Sequence, residues 1–164
     1  MKLTFNTLLL ILLLNISLLA NVRLPKLVSD GMILQRETPL KIWGWGDSGE
    51  KITLRFNHQS FETTTSPEGK WQILLPALKS GGPLEMELTG YNKIVLKDIL
   101  VGDVWLCSGQ SNMEYPMSSL TDKYAREIAT CANNQIRQFK VQMNYDFKNS
   151  LDDYSSGKWE AVNP

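Results

Sequence analysis

The residues best suited to chemistry lie in one stretch, Gly102-Asp103-Val104-Trp105-Leu106-Cys107-Ser108-Gly109-Gln110-Ser111-Asn112-Met113. An apolar run, Val104–Cys107, leads into a loop of small and polar residues. Ser111 stands where the chain turns toward a helical segment. A nucleophilic serine needs that placement, because its Oγ must project from the carboxyl edge of a sheet where a substrate can reach it. Its own N–H, near a helix N-terminus, can donate to a developing oxyanion. Gly109 lets the loop turn without a Cβ clash. Gly109, Gln110 and Asn112 are the candidate oxyanion and loop-support residues around Ser111, and Asn112 could equally hold only the turn. Asp103 and Glu114 flank the stretch, and Asp103 is expected to support the loop by hydrogen bonding. A serine that merely caps the following helix fits the same residue types, so both readings of Ser111 stand on these grounds.

The rest of the chain narrows the chemistry. The only histidine, His58, sits at Asn57-His58-Gln59, where a hairpin turn puts polar residues in water. One histidine rules out a His-rich metal cage and leaves little material for acid–base work. No Gly-rich phosphate loop, Cys/His metal spacing or basic aromatic patch occurs. The 164 residues carry 17 Lys+Arg and 17 Asp+Glu, a balance that argues against nucleic acid or an acidic membrane as a partner reached by bulk charge. Apolar residues make up 43% and charged ones 21%, which is globular composition rather than disorder. Cys107 and Cys131 are too few for a disulfide scaffold and are expected as two buried free thiols. Trp43, Trp45, Trp71 and Tyr91 could stack on sugars, but aromatics in a small β domain are expected in the core and in cross-strand pairs.

Three kinds of segment must position these residues. Residues 1–20 read as a secretory signal peptide: Lys2, the apolar run Leu8–Leu14 and a small residue at Ala20. The run is shorter than the roughly 20 residues a spanning helix needs. An uncleaved anchor or a core helix is the alternative. Signal removal predicts a secreted or periplasmic chain with no membrane association. Residues 21–100 carry period-two alternation: Ile52, Leu54 and Phe56, then Trp71, Ile73 and Leu75, then Leu84, Met86 and Leu88. Turns at Asp47-Ser48-Gly49, Asn57-His58, Ser66-Pro67-Glu68-Gly69 and Ser80-Gly81-Gly82-Pro83 separate them. This predicts an antiparallel β-sandwich. After Leu100 the period changes. Asp103–Cys107 predicts a strand covered on both faces. Thr121–Ala132, with Ala125, Ile128, Ala129 and Ala132 at helical steps, predicts a helix capped by Ser119 or Thr121. Ile136–Met143 predicts another strand, completing a βαβ unit. Asn144–Pro164 is polar and predicts no terminal element, so residues 101–164 read as the incomplete start of a second domain.

Gly102–Met113 (GDVWLCSGQSNM) resembles the first conserved block of the sialate O-acetylesterase family within the SGNH/GDSL hydrolases. Leu24–Gln35 (LPKLVSDGMILQ), Trp43-Gly44-Trp45 and Gly69-Lys70-Trp71 resemble the β-sandwich that precedes the hydrolase domain in bacterial members. The resemblance implies an α/β, flavodoxin-like SGNH domain after the sandwich, with Ser111 as nucleophile. It further implies an O-acetylated sugar of the sialic acid type as substrate, and acyl transfer with no metal and no organic cofactor. The family's acid and histidine come late in the chain. Nothing after Ser111 supplies a histidine here, so this chain by itself is expected to be catalytically silent. The alternative function is a secreted, non-catalytic carbohydrate-binding or interaction module.

Overall fold

The computed structural model describes residues 21–143 and 146–164; the signal peptide expected over residues 1–20 lies outside the described residues. Seven strands come first: β1 (Ile33–Gln35), β2 (Leu40–Trp45), β3 (Lys51–Phe56), β4 (Gln59–Thr64), β5 (Lys70–Leu75), β6 (Gly81–Thr89) and β7 (Lys93–Gly102). They form a five-stranded mixed sheet in the order β1-β7-β6-β3-β4 and a two-stranded sheet of β2 and β5. β1 is parallel to β7, and the other pairs are antiparallel.

Alternation explains the core. Ile52, Leu54 and Phe56 of β3, Met86 and Leu88 of β6, and Leu40, Ile42, Trp71, Ile73 and Leu75 of β2 and β5 are buried in one cluster, while the intervening residues face water. Three of the four expected turns follow their residue types, whereas Gly81, Gly82 and Pro83, expected as a turn, open β6 because Gly81 pairs with Val101 of β7. Asn57 and His58 both take positive φ, as a two-residue hairpin loop requires. Gly69 takes positive φ to close the Ser66–Gly69 turn. Gly44 answers a close approach instead: a Cβ there would fall on the Arg23 carbonyl and the Trp71 ring, where Arg23 exchanges two backbone hydrogen bonds with Trp45.

β7 departs from simple alternation. Leu96 pairs with Met86 but Ile99 with Leu84, so one extra residue bulges from β7. Asp98 takes positive φ at this bulge. The bulge turns backbone groups outward, and the Asp30 carboxylate accepts the Lys97 N–H at 2.7 Å while the Gly31 N–H donates to the Lys97 carbonyl.

Beyond β7 lie a single helical turn α1 (Ser111–Glu114), a 3-10 turn (Met117–Leu120), α2 (Thr121–Ala129), β8 (Asn133–Phe139) and β9 (Trp159–Val162). Several expectations are corrected here. Asp103–Cys107 is not a strand; it is unpaired, and Trp105 and Leu106 are 83% and 95% exposed. A strand needs ladder partners, and among the described residues this run has none. β8 therefore has no parallel neighbour at 103–107, and the βαβ unit does not form. It pairs antiparallel with β9 instead, so the tail expected to lack an element contains one. Helix α2 starts at Thr121 as expected but ends at Ala129, short of Ala132; it buries no residue, and its start lacks the expected side-chain cap, Thr121 Oγ1 donating to the Ser118 carbonyl instead. Cys107 is exposed and Cys131 half-buried, both free, because the run around Cys107 lies outside any sheet. Tyr91 is exposed in the turn after β6, whereas Trp71 is core and Trp43 packs against it. Among the described residues no helix is long and apolar enough to cross a membrane.

The β8–β9 pair docks on the larger sheet at the β7 bulge. The Arg137 guanidinium, almost fully buried, donates to the carbonyls of Gly31 and Asp98 and pairs with the Asp98 carboxylate at 2.9 Å. Trp159 packs against the core and its indole N–H donates to the Leu27 carbonyl at 2.9 Å. Arg137→Ala should loosen this docking by about 2 kcal/mol, allowing for the exposed side of Asp98. Limited proteolysis between residues 146 and 158 should then accelerate by roughly thirtyfold, since cleavage follows the open population. An unchanged rate would show that Arg137 is not the latch.

Candidate active site

Strand β7 delivers the chain to the site. It ends at Gly102, and residues 103–110 run unpaired to Ser111, the first residue of α1. Gln110 precedes the turn in an extended conformation, its carbonyl accepting the Met113 N–H at 2.9 Å. The first N–H groups of a helix have no partner within it, and that of Ser111 is one of them. Ser111 is exposed together with Gly109, Gln110 and Asn112. The four predicted site residues are thus brought onto one loop and helical turn. Gly109 answers a close approach, since a Cβ there would lie 3.3 Å from the Met113 Cβ. Glu114, at the end of the turn, pairs with Lys140 just beyond β8 at 3.4 Å. That contact joins the serine turn to the end of β8.

Asp103 supports the loop as expected. Its carboxylate accepts the Arg36 Nε–H at 2.8 Å. This hydrogen bond, with the negative charge behind it, holds the Arg36 guanidinium above its ordinary pKa, and Glu37 adds to the effect. The Val104 N–H donates to Gln35 Oε1 at 2.8 Å. The roles of Gln35 and Arg36 were not legible in sequence, because their partners lie 69 and 67 residues away, respectively.

His58 is elsewhere. It lines a shallow groove of about 520 Å³ with Arg55, Phe56, Leu84, Glu87 and Val95, to which residues 103–114 contribute nothing. Among the described residues no cluster of His, Cys, Asp and Glu could hold a metal ion. The arrangement offers a solvent-facing hydroxyl at the start of a helical turn, with N–H donors beside it.

No family model matches the chain. Mouse sialate O-acetylesterase is 31% identical over 133 residues, which cover 74% of this chain and 25% of that protein. The human sialate O-acetylesterase is 30% identical over 131 residues, again about a quarter of its length. The crystal structure of a carbohydrate acetylesterase from Xanthomonas citri superposes with a TM-score of 0.81 at 34% identity, covering 87% of this chain and 33% of that one. The chain therefore spans about a quarter of the curated relatives it matches. Sequence and fold agree in direction, and the chain belongs to the sialate O-acetylesterase-like family.

Proposed function

We propose that this chain carries the nucleophile of an exported carbohydrate esterase that removes O-acetyl groups from sialic acid or a related sugar. The observation that carries the reading is Ser111 itself, exposed at the first residue of a helical turn and reached from the end of a sheet strand. Its Oγ attacks the acetyl carbonyl while a base takes the hydroxyl proton. The Ser111 N–H, with Asn112 and the Gly109-Gln110 loop beside it, faces the oxygen that becomes negative. Collapse expels the sugar oxygen, which receives the proton held by the base. Water then attacks the acetyl-serine, its proton passing to the base and on to Ser111, and acetate leaves. No step calls for a metal or an organic cofactor.

In this reading the base is a histidine supplied from outside this sequence, whose one histidine, His58, lies in its own groove. In this reading residues 21–100 are a β-sandwich and residues 101–164 open an SGNH-type α/β domain. The exposed apolar run Val104–Leu106 and the uncovered stripe of Ala125, Ile128 and Ala129 on the otherwise polar helix α2 support it, because both have the pattern of elements that pack against others. The 164-residue chain alone should turn over a chromogenic acetyl ester no faster than an unrelated protein. A longer form that adds a histidine-bearing segment should release acetate from O-acetylated sialic acid. A form that binds sugars saturably through residues 21–100 on a glycan array, yet releases no acetate, would instead support a binding module.

A further inference from the structure

The segment Leu24–Gln35 takes no part in the chemistry above, yet its end meets the chain where β7 gives way to the serine loop. Gln35 stands opposite Gly102 in the parallel β1–β7 ladder. The regular ladder stops there, and three contacts extend it. The Arg36 N–H donates to the Gly102 carbonyl at 2.9 Å. Arg36 Nε donates to Asp103 Oδ1 at 2.8 Å, and Gln35 Oε1 accepts the Val104 N–H at 2.8 Å. Gln35 Nε2 donates to the Arg36 carbonyl at 3.3 Å, which turns the amide oxygen toward Val104. Arg36 also reaches Glu37 at 3.1 Å. Three successive residues are thus held by a backbone group, a charge and a side-chain amide.

We propose that Gln35 and Arg36 are positioning residues for Ser111: their clasp on residues 102–104 fixes the direction in which the chain leaves the sheet toward the nucleophile. The proposal rests on the reading of Ser111 as nucleophile. An unpaired extended segment is free at two dihedrals per residue. Val104, Trp105 and Leu106 are exposed and contribute little packing to restrain it. The clasp acts at the start of this segment, where a small change of direction displaces everything that follows. Arginine suits the task because its planar fork serves Asp103 and Glu37 at once, which a lysine point charge does not.

Cys107 lies between the clasp and Ser111, is exposed, and can carry a nitroxide in the full chain with Cys131→Ser. The label should tumble about two-fold faster or more in Gln35→Ala and in Arg36→Ala, as expected for a loop released from its anchor. Gln35→Glu keeps the acceptor for Val104 and should restore slow tumbling. Lys41→Ala, on exposed β2 surface, should change nothing. If either β1 variant lowers thermal stability enough to unfold the sheet, Asp103→Ala opens the clasp from the loop side and should give the same faster tumbling. Unchanged spectra in Asp103→Ala and in the folded β1 variants would overturn the proposal, as would equal mobilisation by Lys41→Ala. The readout does not use the serine hydroxyl, so Ser111→Ala should leave it unmoved. Failure of the clasp is thereby distinguished from failure of the esterase reading.

Discussion

In an acetate-releasing form of the protein, Ser111→Ala should lower turnover by on the order of 10⁶-fold, the loss seen when a serine nucleophile is removed. The folded state should hardly change. Ser111 is exposed and α1 has no side-chain cap, so the exchange removes one solvated hydroxyl, and such surface changes usually stay within about 0.5 kcal/mol. Turnover measured beside a thermal melt separates the two effects. A serine that only starts a helical turn would show the reverse, with a modest loss of stability and most activity kept. Retention of even a tenth of the activity would move the nucleophile elsewhere, and Ser108, on the same exposed loop, would be the next residue to exchange.

The placement of Ser111 at the start of a helical turn could be read in sequence because its signal is local: small residues after an apolar run, then a helical segment. Strands β2, β3 and β5 were legible for a similar reason, since each has one buried face and therefore alternates; β4 buries no residue, and its β-branched threonines mark it instead. β7 was harder. Its bulge between Leu96 and Ile99 shifts the phase of burial, so a period-two pattern breaks inside one strand. β1, with three residues, and β9, with four, are too short to show a period. Both exist through their partners, β1 beside β7 and β9 beside β8.

The run Val104–Cys107 shows the opposite limit. Its composition is that of a central strand, but a strand is a property of a pair, and among the described residues the run has no partner. The clasp on Asp103 and the Arg137 latch were equally invisible. Each joins side chains or carbonyls dozens of residues apart, and an Arg or Asp in a loop carries no local mark of its partner. What sequence supplies for the site is a candidate serine and its loop; what it withholds is the set of long-range contacts that hold the loop.

Glu50 carries the second large effect. It follows the Asp47-Ser48-Gly49 turn, where an acid is normally solvated, yet it is 1% exposed. Its carboxylate accepts the Tyr91 N–H at 2.6 Å and the Asp47 N–H at 3.0 Å. Gly46 and Gly90 leave room for it: a Cβ on Gly46 would lie 2.7 Å from Oε2, and one on Gly90 would fall on Oε1. One side chain thus ties the β2–β3 turn to the β6–β7 turn, joining the two sheets at one end of the core. Glu50→Ala removes this acceptor from both N–H groups and opens a cavity, which together should cost about 3–5 kcal/mol, from two lost buried hydrogen bonds and the lost packing. That is a large share of the roughly 5–15 kcal/mol by which domains are stable. Glu50→Gln should recover only part of it. An amide keeps one acceptor oxygen, but its NH₂ then faces a backbone donor. Urea unfolding followed by tryptophan fluorescence, with buried Trp71 as a reporter, should show the midpoint falling in the order wild type, Glu50→Gln, Glu50→Ala. Exposed Glu62→Ala should stay near wild type. If Glu50→Ala unfolds with Glu62→Ala rather than far below it, the two turns are held by their own backbone bonds and the buried carboxylate is not what joins them.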